Sequence, residues 1–581
     1  MKWVLHMGAY AAATGVAVGV LYGQPVQSLG SSPRAEVTEV LATGVFYPRI
    51  GTMRSLGNFE VTDSCWLGVA LIAQQPGTDN LREVLATGPH KVPLAPVAEG
   101  GSPLAGTTMT PPRLQAFSNF RMARNGAVTF VANFTEAGVS GTGLFSQPTQ
   151  AGPARLLARN QRSAPGMPDG VLYQGLANSP VMDPSGAMTF VAALSGPTIS
   201  SPNDRAVYLA TGGPAQLLFT EGAPIPSLGG RSISFLNDTN STPTSFGPSR
   251  VFTALLGAPG TPAILAGMPL TQVASRDDTL PNEPGVQYSE FLPGPSVGYG
   301  FEIAFTATLR GNRVDPTNNW AIVSNSRQVL VRAGQQAPGL PVGTRLHRFS
   351  TPLLYSNANH LLFHASLQGP DIGDLNRTAL FAGQRESIAL IVRSGSQAPG
   401  CPAGVLIGPF SEQFNNDPVF VNQRGDIIFR TQLRGPGVTS SNDFALFAYS
   451  ARHGLQLVAR EGDSIRIAGA TRTIQIITIP DRTGAVSQSN GRDGRRTILN
   501  AHGECFFAVR CTDGVDALLK AQVNDPPCPA DFDGDHFVDC FDYVAFVIAF
   551  EAGEPAADQD EDGFIDAFDY EAFVEAFETD C

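Results

Sequence analysis

"GECFFAVRCTDGVDALLKAQV" (residues 503–523) ends the main body of the chain with two elements of a recurring unit and no third. Its first half alternates apolar and other residues around a central Phe, the pattern of a half-buried strand. The same pattern occurs earlier in "GAVTFVANF" (126–134), "GAMTFVAAL" (186–194), "FEIAFTATL" (301–309), "HLLFHASL" (360–367) and "GDIIFRTQL" (425–433). Weaker copies stand at "SRVFTALL" (249–256) and "CWLGVAL" (65–71). Turn formers ("ARNG", "DPSG", "NQRG", "NAHG") precede most of them.

A second strand follows the first, as in "NDRAVYLATG" (203–212), "NRTALFAG" (376–383) and "NDFALFAYS" (442–450). A third element has its own ending: "LLARNQRSAPG" (156–166), "VLVRAGQQAPG" (329–339), "LIVRSGSQAPG" (390–400) and "LQLVAREGDSI" (455–465). The repeat of about 60 residues leaves room for three or four short strands per unit. At the other end of the chain, "EVLATGVFYPRIGT" (39–52) is like the third element, yet no first or second precedes it. The two incomplete ends complement each other. A closed ring buries both free edges in this way, whereas an open solenoid gains nothing from the split. The expectation is an all-β, eight-bladed β-propeller closed by the N-terminal strand, with one degenerate unit near 239–292 and seven blades as the near alternative.

Composition agrees. The 62 Gly and 45 Pro in 581 residues suit an all-β chain rich in turns. Of 51 acidic residues, seventeen fall in 526–581, which has no Lys or Arg. The body keeps 34 acids against 38 bases, a net charge of +4, and offers no electrostatic ground for binding nucleic acid. The N-terminal "MKWVLHMGAYAAATGVAVGVLYGQPVQS" has one Lys followed by an apolar run and reads as a secretory signal, with an uncleaved anchor or a misplaced start as the alternatives. The expected location is therefore secreted or at a bacterial cell surface, with no other membrane-spanning segment. The body's pattern resembles a repeat of uncharacterised secreted bacterial proteins built from "LVAREGD.APG" units and ending in a dockerin-like tail. That resemblance implies architecture and carries no activity.

The tail holds the chemistry. "DFDGDHFVDCFDYVAFVIAF" (531–550) recurs 27 residues later as "DQDEDGFIDAFDYEAFVEAF" (558–577). Carboxylates this dense repel one another unless a cation sits among them, and calcium wants six to eight oxygens, readily supplied by a short acidic loop. Loop positions 1, 3, 5, 7, 9 and 12 of an EF-hand are here Asp531, Asp533, Asp535, the Phe537 carbonyl, Asp539 and Asp542. In the second copy they are Asp558, Asp560, Asp562, the Phe564 carbonyl, Asp566 and Asp569. Two Ca2+ sites are expected, the first weaker, because loop position 6 is Gly563 in the second copy but His536 in the first. After each loop, Tyr543, Phe546, Val547 and Phe550, and again Tyr570, Phe573, Val574 and Phe577, share one helical face. Those faces meet only once the loops are neutralised, so folding is linked to calcium.

Loop–helix pairs with no entering helix and Asp at position 12 resemble a type I dockerin. The resemblance implies two copies related by a pseudo-twofold, and chain ends close together where Cys528 and Cys581, which bracket the tail, would join. Its recognition positions, 10 and 11, are here Cys540 with Phe541 and Ala567 with Phe568, unlike the small hydroxyl residues of cellulosomal dockerins. A cap docked on its own body is the alternative to an attachment module.

Other candidates in the body are weaker. "GPSVG" (294–298) lacks the strand–turn–helix setting that would expose Ser296 as a nucleophile. His360 and His364 share a strand face without an evident third ligand. Arg159, Arg332, Arg393 and Arg460 recur at one repeat position, as a ring of structural ion pairs or as an anion-binding channel lining. The domains expected are a signal peptide (1–27), the propeller (28–523), a linker (524–530) and the dockerin-like paired EF-hand domain (531–581). The function expected is non-catalytic: a binding or structural protein whose tail binds two calcium ions and attaches it to a protein partner or surface. The alternative is a carbohydrate-active hydrolase acting on polysaccharide, which rests on fold analogy alone.

Overall fold

The computed structural model describes residues 25–26 and 34–579, apart from internal stretches that include 90–93, 101–112, 148–153, 177–180, 236–243, 411–417, 480–487, 490–494, 533–539 and 560–563. The expected signal peptide lies almost wholly outside the described residues. The alternating segments become the second strand of each of eight sheets, which settles the blade count at eight. In blade 3, Met188–Ser195 pairs with Arg205–Ala210, which pairs with Gln216–Thr220. The "APG" elements are thus fourth strands, and each blade has the upper number of the three or four strands expected, the added one being a strand that the repeat pattern does not mark.

That unmarked strand is the innermost. In blade 3 it consists of Leu172–Leu176 and Val181–Met182, lying in sequence along the same edge of Met188–Ser195. In blade 5 it is Val286–Phe291 followed by Ser296–Val297, with Pro293 and Pro295 between them. In blades 3 to 7 these pieces of two to six residues, interrupted by bulges and by prolines that cannot donate to a ladder, carry no readable alternation, whereas blades 1, 2 and 8 have longer inner strands, Gly51–Val61, Arg113–Met122 and Ala470–Thr478. The short inner pieces Val181–Met182, Thr244–Phe246, Ser296–Val297 and Leu353–Tyr355 touch in succession from blade 3 to blade 6, forming an arc around the axis. In blade 7, Gln488–Ser489 adds in parallel to the axial edge of Val419–Val421.

Closure follows the expected route. Glu36–Ala42 pairs antiparallel with Asp516–Gln522, setting Val37 against Ala521 and Leu41 against Leu518. The N-terminal strand is therefore the fourth strand of blade 8, whose other members come from the end of the body. The unit expected to be degenerate is a regular blade: Ser249–Leu256 pairs with Thr261–Ala266, and this with Thr271–Ser275.

The central Phe of the repeat has a specific task. Phe190 stacks on Tyr208, Phe363 on Phe381, Phe429 on Phe447 and Phe130 on Phe145, at 5.4–5.7 Å between ring centres. Each pair sits directly opposite in the ladder between second and third strands. Such pairs contribute about 0.5–1.5 kcal/mol each beyond the area they bury. Blade-to-blade contact explains the "APG" ending. Gly400 has φ 71°, and a Cβ there would lie 2.8 Å from Cβ of Leu457 on the next blade's fourth strand. Gly166 and Gly339 meet Leu217 and Leu390 in the same way.

Two helices end the chain: α1 (Cys540–Ala552) and α2 (Ala567–Thr579). Their core, centred on Phe546, Ala549, Ala557 and Phe573, is a separate cluster made only of tail residues. No helix among the described residues is long and apolar enough to cross a membrane.

Candidate metal centre

Both tail helices start at the same point of the repeat, loop position 10, and their contacts obey a two-fold relation. Phe546 stacks flat on Phe573, its own counterpart, with ring centres 4.0 Å apart. The hydroxyls of Tyr543 and Tyr570, also counterparts, are 2.8 Å apart. The remaining contacts are reciprocal: Tyr543 meets Phe577 at 5.9 Å, and Phe550 meets Tyr570 at 5.9 Å. Phe532, the second residue of loop 1, closes the cluster edge-on against Phe546 and Phe573.

Position 12 of each loop enters the first turn of its helix. Asp542 and Asp569 are both about 1% exposed. Asp569 accepts hydrogen bonds from the backbone N–H of Gln559 (2.6 Å) and of Asp566 (2.8 Å), tying loop positions 2 and 9 to position 12. Asp566 in turn accepts from the N–H of Phe568 at 2.9 Å. A helix N-terminus favours a carboxylate, but burying one is costly unless it is hydrogen-bonded or paired with a cation. Asp531 and Asp558 are half-buried, whereas Asp566 and Phe564 are exposed. Asp533, Asp535, Phe537, Asp539, Asp560 and Asp562 lie outside the described residues. Every donor at the expected positions is an oxygen, chemistry that suits a hard cation such as calcium.

Cysteine chemistry differs across the chain. Cys528 is disulfide-bonded, while Cys65, Cys401, Cys505, Cys511 and Cys540 are not in disulfides. Cys581, expected to join Cys528, lies outside the described residues. Cys540 is exposed, and Cys505 and Cys511 are buried along one strand.

The repeated arginines are clasps on the outer strands. Arg332, Arg393 and Arg460 each donate from Nε to a carbonyl ahead of the third strand, that of Asn318, Asn376 and Asn442, at 2.9–3.2 Å. The same asparagines hold their own loops. Asn442 accepts from the N–H of Thr439 and donates to the carbonyl of Gly437, and Asn376 and Asn318 do the equivalent. Arg159 and Arg332 add ion pairs, to Glu136 and Glu283. The ion-pair ring expected from the sequence is thus partial, and on fourth strands these residues do not line a channel.

Ser296 is fully buried and accepts the N–H of Leu354 at 2.9 Å, bridging blades 5 and 6. His364 is buried against Phe410, ring centres 4.7 Å apart, and burial pushes its imidazole down to about 3. His360 is half-buried beside Tyr355 and Ser356.

The inter-blade polar cores have no signature in the repeat pattern. Glu60 of blade 1 lies between Arg121 of blade 2 and Arg496 of blade 8, at 3.7 and 3.6 Å. Asn422 donates to Asp426 (2.7 Å) and to the carbonyl of Asn500 (2.9 Å), while Asn500 donates to Glu504 (2.8 Å) and to Cys65 Sγ (3.2 Å). "NQRGD" (422–426) and "NAHGE" (500–504) are the same motif, in which Asn links its own turn to the next blade. It was visible as a turn signal, but nothing in a turn signal specifies a neighbour.

A family model matches residues 69–519, nearly the whole ring. The chain belongs to that family, described as a family of unknown function (DUF7453). The family's span covers the Arg clasps and the Asn422 and Asn500 motifs, while Glu60, Cys65 and the acidic loops lie outside it. No curated protein matches the chain. Among solved structures, the chain is similar to the Dos1 propeller, at 8% identity over 82% of this chain and 96% of that one, with a TM-score of 0.32. It is also similar to the β-propeller domain of the Trilobed protease from Pyrococcus furiosus (8% identity, 71% and 99%, TM-score 0.31) and to the polysaccharide lyase Uly1 (6% identity, 72% and 94%, TM-score 0.28). Likeness at this level carries no argument about activity.

Proposed function

We propose that this family member is a secreted or cell-surface, non-catalytic binding protein whose tail binds two calcium ions and becomes a dockerin-like module, attaching the propeller to a protein partner or surface. The observation that carries the reading is the matched burial of Asp542 and Asp569 at the same step of a two-fold repeat, each at the end of an acidic loop. Asp531, Asp533, Asp535, the Phe537 carbonyl, Asp539 and Asp542 would hold one ion, and Asp558, Asp560, Asp562, the Phe564 carbonyl, Asp566 and Asp569 the other. The cations would neutralise the loops and let the aromatic faces close. The first site is the weaker, with His536 where the second has Gly563.

The body's buried carboxylates lend a hydrolase no support. Four of the body's buried carboxylates are committed to structure: Glu60 and Asp183 to arginines, Asp426 to Asn422 and Asn524, and Glu504 to Asn500 and Lys520. Calorimetric titration of the full chain with calcium tests the proposal. About two ions per chain are expected, with Asp542→Asn and Asp569→Asn each removing one. Uptake that neither substitution changes would refute it.

A further inference from the structure

The turn between the innermost and second strands closes alike in blades 1, 2, 3, 5, 7 and 8. The backbone N–H of its first residue donates to the carbonyl of its fifth, as from Asp183 to Ala187, Gly298 to Glu302 and Asn422 to Asp426, at 2.8–3.1 Å. Its fourth residue has a left-handed backbone, and in blades 2, 3, 7 and 8 that residue is glycine: Gly126, Gly186, Gly425 and Gly503, with φ of 72–88°. Two blades depart from this. Blade 1 has Cys65 at φ 65°, a buried residue that accepts the Asn500 amide, and this contact accounts for it. Blade 5 has Phe301 at φ 68°. A side chain strains this conformation, and strain kept without a packing reason points to function. Core packing does not account for Phe301, which is 53% exposed. Tyr299, two residues earlier on the same turn, is 53% exposed as well.

The turn is held in place from both sides. Asn359 of blade 6 accepts from the Tyr299 N–H at 2.7 Å and donates to the Tyr299 carbonyl at 2.9 Å, and Asn325 donates to the Phe301 carbonyl at 3.0 Å. The fifth residue of the turn adds charge. At this place Asp426 is hydrogen-bonded to Asn422 and Asn524, and Glu504 to Asn500 and Lys520. Glu302 of blade 5 is half-buried, yet among the described residues its carboxylate meets no hydrogen-bond donor and no cation. Burial pushes its carboxyl up, and no neighbouring charge opposes the shift.

We propose that this turn of blade 5 binds the guanidinium group of an arginine on a partner protein, stacked on Tyr299 and Phe301 and paired with Glu302. Aromatic faces and a carboxylate both attract positive charge. A planar guanidinium satisfies both at once, by stacking and by forked hydrogen bonds. A neutral sugar would leave the carboxylate without a counter-charge, and an anion would be repelled. Half-exposed rings on a surface turn enclose too little of a free small molecule, so the cation comes on a larger partner. The site lies on the ring of blades, within the family's span, and does not depend on the calcium reading of the tail.

The test is saturation-transfer NMR of Nα-acetyl-arginine methylamide with the full chain in calcium, and the citrulline analogue, its neutral isostere, is the control. The arginine probe is expected to bind, and the citrulline probe to bind at least about fivefold more weakly. Phe301→Gly is expected to weaken binding by about threefold and Glu302→Gln by about fivefold. The body's unfolding midpoint is expected not to fall in Phe301→Gly, since glycine suits the turn. Glu571→Gln with Glu575→Gln, on the acidic tail, is expected to keep binding within about twofold. Equal binding of the two probes, binding unchanged by both blade 5 substitutions, or displacement of the arginine probe by cellobiose would overturn the proposal. A lower midpoint in Phe301→Gly would overturn it too, by showing that the phenyl group serves the fold.

Discussion

The propeller and the tail solve the same problem, packing short repeats against one another, with opposite chemistry. Each blade is braced within by stacked aromatics such as Phe429 on Phe447, and blades meet through asparagine amides such as Asn500 and through glycines that admit a neighbour's side chain. Charge in the body nearly cancels, and its buried ionic groups are paired or hydrogen-bonded within the fold, as Glu60 is with Arg121 and Arg496. The tail has one small aromatic cluster around Phe546 and Phe573 and a large uncompensated acidity. The body carries its own counter-charges, whereas in the proposed reading the tail takes its counter-charge from calcium.

The largest expected effect falls where the core is smallest. Phe546→Ala removes the ring on the two-fold axis and is expected to cost the tail about 3–5 kcal/mol, enough to abolish its helical signal, while the body's unfolding transition stays put. A shared loss of both transitions, followed by circular dichroism and calorimetry, would break the comparison. Within the body, Gly400→Ala forces a Cβ into Leu457 at a left-handed position and is expected to destabilise the ring by about 1–3 kcal/mol, read as a lower midpoint for the body alone.

The smallest effect concerns pH. His364 stays neutral in the fold until about pH 3, whereas an unfolded histidine takes up its proton near pH 6.5. Between those values the unfolded chain binds the extra proton, so this residue's contribution to stability is whole above about pH 6.5 and falls with pH, by at most about 1.4 kcal/mol per pH unit. His364→Leu is expected to lose less stability than the wild type between neutral pH and pH 4.5 in denaturant titrations. Parallel slopes would show that the imidazole is not held neutral.

The contrast also explains what the sequence disclosed. The second strands were legible because Phe130, Phe190, Phe363 and Phe429 sit in regular alternation, and ring closure was legible because residues 39–52 and 503–523 are complementary fragments of one unit. The innermost strands were not, since pieces as short as Val181–Met182 leave no period to detect. Arg393 and Arg460 were visible as a repeat, but their partner is a backbone carbonyl, which no sequence pattern marks. In the tail, the shared face of Tyr543, Phe546 and Phe550 was read directly from helical spacing, and the contacts of these rings with α2 follow it. The bond from Asn500 to Cys65 joins residues 435 apart in the chain and depends on the closed ring, so local sequence gave no access to it.

The most direct test is differential scanning calorimetry of the full chain with calcium and with a chelator. The account predicts two transitions, of which the tail's rises with calcium concentration by mass action while the body's stays within about 1 °C. Transitions that move together, or a tail transition indifferent to calcium, would contradict it.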